Sequence, residues 1–188
     1  MGVTILIGLV LVLLVVGLLA YFITLYNSLV RLRNDLDKAW ANIDVMLKQR
    51  HDELPKLIDT CKGYMQYERQ TLQLITEART AFMKANTVAE KAQADIVLSG
   101  ALKSLFAVAE NYPELKADNN FMQLQNRISE LEEKIADRRE FFNDDVNTYN
   151  VRIQQLPDVF VAHMLNLQRK ELFKVTEEDR RDVEVRVG

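Results

Sequence analysis

The residues with the readiest chemistry are two histidines, His51 and His163, and a single cysteine, Cys61. A helical di-iron site needs Glu-x-x-His twice. Lys48 lies three residues before His51 and Phe160 three before His163, so that framework is missing. The chain has no Cys-x-x-Cys or His-Glu-x-x-His string to seat zinc and no glycine-rich phosphate loop. No Ser-His-Asp spacing emerges either. Cys61 falls on an apolar helical seam, where a structural thiol is expected rather than a nucleophile. Glu130, Glu132, Glu133 and Lys134 read as a solvated helix face. Asn143, Asn147 and Asn150 share one side of the last long helix, either exposed or fixing register as buried amides do in coiled coils. The residues therefore point to no enzyme, no metal and no cofactor.

What remains is the scaffold, and its first segment is the most distinctive. From Val3 to Leu25 there is no charged residue. A helix of that length rises roughly 33 Å, against a bilayer core of roughly 30 Å. A uniformly apolar stretch with no equally apolar partner in the chain reads as a membrane span. No basic residue precedes it and no small-x-small site follows it, so an uncleaved anchor is expected rather than a signal peptide. Tyr21, Phe22 and Tyr26 suit a membrane interface. Arg31, Arg33 and Lys38 flank its C-terminal end, which by the positive-inside rule puts the following domain in the cytoplasm, with the periplasm as the alternative.

Beyond the anchor the reading is all-α. Leu25, Leu29, Leu32, Leu36, Ala39 or Trp40, Ile43 and Leu47 recur at spacings of three and four, so the helix is expected to run straight from the membrane into the domain. Pro55 is expected to kink this helix rather than end it, with Gly63 beyond it inside the continuation, letting another helix approach. Asn86-Thr87 reads as a stop and N-cap. Leu98, Leu102, Leu105 and Ala109 mark a third segment ending near Pro113. Asp118-Asn119-Asn120 signals another cap. The last helix carries Phe121, Leu124, Ile128, Leu131, Ile135, Phe142, Val146, Tyr149, Ile153 and Leu156, with Arg138 as its polar interruption and Pro157 as its stop. The apolar residues Val159, Phe160, Val161, Met164, Leu165 and Leu167 then either cap the bundle or lie on a membrane surface. Residues 182–187 alternate strictly, a strand pattern in a helical chain. The expected architecture is an N-terminal transmembrane helix (1–25), an antiparallel bundle of three to four long helices (26–173) and a charged tail (174–188) that is either disordered or adds a β-strand to another chain.

Several strings resemble the LemA family. They begin with Tyr26-Asn27-Ser28-Leu29-Val30-Arg31-Leu32-Arg33-Asn34, Ala39-Trp40 and Arg50-His51-Asp52. Pro55, Lys62-Gly63-Tyr64 and Glu77-Ala78-Arg79 follow, then Ala109-Glu110-Asn111-Tyr112-Pro113-Glu114-Leu115-Lys116-Ala117. Arg138-Arg139, Phe142-Asn143, Tyr149-Asn150 and Pro157 close the set. The similarity runs from Tyr26 to about Phe173. The resemblance implies a bacterial membrane protein with one span, an antiparallel helical bundle and no enzyme activity. A relative occurs among proteins that shape magnetosome membranes, which points toward membrane organisation. His51-Asp52 with Pro55 is also similar to the phospho-acceptor helix of sensor histidine kinases. There, however, the proline falls one residue later, and no ATP-binding domain follows here.

With 188 residues and a net charge of −3, the chain has room for one domain and an anchor and shows no basic character that would recruit nucleic acid. The expected function is that of a non-enzymatic scaffold self-associating at the bacterial inner membrane. Its partners would be the lipid bilayer and further copies of itself. The alternative is an adaptor that recruits an unidentified protein partner. Trp40, Phe121, Phe142 and Tyr149 are the packing candidates, and Val183, Val185 and Val187 the association candidates.

Overall fold

The computed structural model describes residues 1–65 and 68–173. Within them the chain is all-α. Six helices follow in order: α1 (Gly2–Lys62), α2 (Arg69–Lys84), α3 (Val88–Ala109), α4 (Pro113–Lys116), α5 (Asn119–Arg152) and α6 (Asp158–Met164). The tail beginning at 174, with Val183, Val185 and Val187, lies outside the described residues. The chain divides into two compact units. One comprises residues 1–38 and 145–170, the other 39–144 and the segment from 171.

Helix α1 is unbroken through Pro55. A proline supplies no N–H to the carbonyl four residues back, which here is that of His51. Arg79 of α2 makes good the loss: its Nε donates to the His51 carbonyl oxygen at 3.3 Å. The chain breaks instead at Gly63, where Tyr64 and Met65 donate their amides to the Cys61 carbonyl. Gly63 therefore belongs to a turn, contrary to the expectation that it lies inside a helix. A Cβ there would meet only the Thr60 carbonyl, at 3.6 Å, so among the described residues no second helix approaches it.

In the unit of residues 39–144, α2 and α3 pack together across the short link at Ala85–Thr87. Thr87 caps α3 through a capping box: its side chain accepts from the Glu90 amide, and the Glu90 carboxylate accepts from the Thr87 amide at 3.1 Å. Asp118 caps α5, accepting from the amides of Phe121 and Asn120 at 3.0 and 2.8 Å. The Phe121 amide foremost holds the Asp118 carboxyl below its ordinary range. The core is built from Leu54, Leu57 and Cys61 of α1, Ile75 of α2, Leu98, Leu102 and Leu105 of α3, Leu115 of α4, and Phe121 and Ile128 of α5. Each fully buried leucine contributes roughly 1.5–3 kcal/mol.

In the other unit every side chain from Met1 to Thr24 is exposed. Burial begins at Leu25 and is complete at Leu29 and Leu36. Tyr149, Ile153, Val161 and Ala162 are buried in the same unit. Helix α5 ends at Arg152, so Leu156 is not on its seam as the periodicity suggests; it sits in the following turn, 75% exposed. α6 ends in a Schellman arrangement. Asn166 adopts φ 52°, and the amides of Asn166 and Leu167 return to the carbonyls of His163 and Ala162.

Candidate functional site

Of the residues singled out for chemistry, His51 and Cys61 are packed as core. His51 is buried, stacked on Phe82 with ring centroids 3.9 Å apart and planes within 12°. Neither ring nitrogen finds a hydrogen-bond partner among the described residues. Burial, and then the Arg79 guanidinium, lower its pKa from 6.5 to about 4, so the ring is neutral near pH 7. Cys61 is fully buried and its thiol is pushed up to about 12 by that burial, which removes thiolate character. His163 is exposed. Among the described residues no group of three or more His, Cys, Asp or Glu side chains is gathered for a metal ion.

A charged cluster occupies the core of the second unit instead. Arg50 of α1 and Arg139 of α5 each donate to one oxygen of Asp95 on α3. Arg50 also pairs with Glu132 of α5. Ser99 of α3 donates to Glu132 at 2.6 Å and accepts from Arg50 at 3.3 Å. Arg50 and Asp95 have no exposure at all. Two cations face two anions, so the cluster is neutral, and each charge meets an opposite one. That is the condition under which buried ions are tolerated. The cluster ties three helices together at one level, the best-attested use of buried polar groups being to fix register.

Two expectations need correction here. Glu132 is not part of a solvated face: it is half-buried against Arg50. The polar interruption on the α5 seam is Arg139, whereas Arg138 is exposed. Arg139 lies four residues past Ile135 and three before Phe142, so its place on the seam was open to sequence reasoning. Asp95, three before Leu98 and seven before Leu102, carried the same signal and escaped it.

Two of the three asparagines, Asn143 and Asn150, do a third thing. Asn143, half-buried, donates to the Phe173 carbonyl and accepts from the Phe173 amide, both at 2.8 Å. In the other unit Asn150 does the same for Lys170, at 2.9 Å each way, and the Tyr149 hydroxyl donates to the Gln168 carbonyl at 3.1 Å. Each amide side chain mimics one rung of a β-ladder and holds the extended chain that follows α6. Asn147, between them, is exposed.

The packing candidates fall into three places. Trp40 and Phe142 meet with ring centroids 5.7 Å apart, and Phe173, which sequence reasoning missed, completes the cluster 6.0 Å from Trp40. The Arg139 guanidinium lies over Phe173 at 4.6 Å, linking aromatic cluster and charged cluster. Phe121 packs edge-on against Phe106 at 6.3 Å. Tyr149 is buried in the other unit, where desolvation raises its pKa.

The chain is similar to several known bacterial proteins. Protein LemA of Metamycoplasma hominis is 31% identical over 163 residues, covering 84% of this chain and 73% of that protein. Magnetosome protein MamQ 2 of Paramagnetospirillum magneticum is 24% identical over 189 residues, covering 87% and 70%. Magnetosome protein MamQ of Magnetospirillum gryphiswaldense is 24% identical over 188 residues, covering 85% and 69%. The sequence pattern of the LemA family matches residues 39–187, and the chain belongs to that family.

Proposed function

We propose that this protein is a single-pass scaffold of the bacterial inner membrane that self-associates through its helical domain and tail. The family is non-enzymatic, and so is this chain. It is membrane-associated through the apolar N-terminal part of α1. The observation that carries the proposal is the continuity of α1: one helix of 61 residues is apolar and exposed over its first two dozen residues and supplies core side chains thereafter. A helix that serves both as span and as a core element suits a structural part better than a tethered catalyst. Helix α3 is also long and apolar, but it is partly buried and carries Asp95 into the core, so we read it as a core helix and the chain as crossing once. The bundle is taken as antiparallel, and the domain as cytoplasmic because Arg31, Arg33 and Lys38 follow the span.

Confinement to a membrane raises local concentration, so weak contacts between copies suffice. The relatives named as magnetosome proteins favour a part in organising a membrane compartment. Trp40, Phe121, Phe142 and Tyr149 are assigned to packing, and Val183, Val185 and Val187 to association between copies. Deleting the tail from Thr176 onward is expected to reduce assembly size in mild detergent. An unchanged elution volume on a calibrated column would remove the tail from the mechanism. An adaptor recruiting a different protein would instead remain monomeric and co-purify with that protein in fixed ratio.

A further inference from the structure

The unit containing the anchor holds a cluster of exposed apolar side chains that packing does not explain. α6 buries one face, with Asp158, Val161 and Ala162 each under a tenth exposed. Its other face carries Phe160 and Met164, four residues apart, 62% and 69% exposed. Leu156, in the turn just before α6, is 75% exposed. A single exposed apolar residue is ordinary. Three large ones within nine positions of one short element form a patch that calls for a partner.

The position of α6 names the partner. Arg152 donates through Nη1 to Ser28 Oγ at 2.9 Å and through Nε to Asp158 Oδ2 at 2.8 Å. The first residue of α6 is thereby tied to the level of Ser28. Ser28 lies three residues past Leu25, the end of the apolar stretch, a rise of about 4.5 Å along a helix. The headgroup layer on each side of a bilayer is about 5–7 Å thick. Arg31, Arg33 and Arg169 are exposed in the same unit and suit lipid phosphates.

We propose that α6 is a second, non-spanning membrane contact: it lies in the headgroup layer, with Leu156, Phe160 and Met164 entering the boundary of the acyl chains. The contact rests on α1 being the span. It gives this unit a second point of attachment to the bilayer beside the span.

The test uses the full-length chain in phosphatidylcholine–phosphatidylglycerol vesicles, with lipids brominated in the acyl chains as quenchers. The wild-type chain, whose single tryptophan is Trp40, sets the baseline. In F160W the added emission is expected to fall at least twofold with brominated lipid. In Q155W, an exposed neighbouring position, it should fall little. Quenching in F160W no greater than that in Q155W would overturn the proposal. So would an added indole in F160W shielded from both brominated lipid and aqueous acrylamide, which would mean that another protein copy covers this face. Retention of the chain after an alkaline carbonate wash reports separately on the span. Loss in that wash would overturn the anchor and this contact together.

Discussion

Asp95 is the anion between two buried guanidiniums, so removing it takes a buried partner from both and leaves two cations facing Glu132 as the one remaining anion of the cluster. D95A is expected to cost about 3–5 kcal/mol, read as a lower urea midpoint for loss of helical circular dichroism in mild detergent. Replacing the trio together, as R50M/D95L/R139M, is expected to cost less than D95A alone, because no unpaired charge remains and Glu132 can turn to solvent. His51 gives a pH dependence of definite sign. Its folded pKa of about 4 lies below the ordinary 6.5, so the unfolded chain binds the proton more tightly in between. The stability it protects is fully present above pH 6.5 and is lost as pH falls toward 4, at up to about 1.4 kcal/mol per pH unit. H51F should flatten that slope in unfolding curves taken across the window. Sequence reasoning placed Cys61 in the core because an uncharged side chain on a seam needs no further explanation. It treated Arg50 only as part of a family string and passed over Asp95, because a charge at a seam position becomes intelligible only when the opposite charge on another helix is known.

At the level of elements, Pro55 and Arg79 act as a pair. Arg79 satisfies a carbonyl that any other residue at position 55 would satisfy by its own amide. R79M is expected to cost about 1–3 kcal/mol, the cost of an orphaned buried acceptor. It should cost less in a P55A background, where the backbone N–H restored at position 55 can reach the His51 carbonyl. Equal losses in the two backgrounds, measured as a double-mutant cycle, would break the pairing. The continuity of α1 through Pro55, the cap at Thr87 and the start of α5 after Asp118 were all readable from local chemistry. The end of α1 at Gly63 was not, because a lone glycine in an apolar period reads equally as a tolerated interior residue or a stop. The use of Asn143 and Asn150 also escaped, since their partners are backbone groups of an extended segment about twenty to thirty residues further on, which no periodicity marks.

For the molecule as a whole, the anchor is the part most plainly written in the sequence, since a bilayer sets its length and composition directly. Association is written least plainly: weak contacts between confined copies need little dedicated surface, and the tail assigned to them lies outside the described residues. The account stands on whether copies of this chain assemble. The most direct measurement is light scattering of the full-length protein in mild detergent, with the detergent's contribution subtracted. The scaffold reading predicts a discrete protein mass several times that of the 21.7 kDa chain. A uniform species at the mass of one chain would contradict it and shift the weight to an adaptor with a different partner.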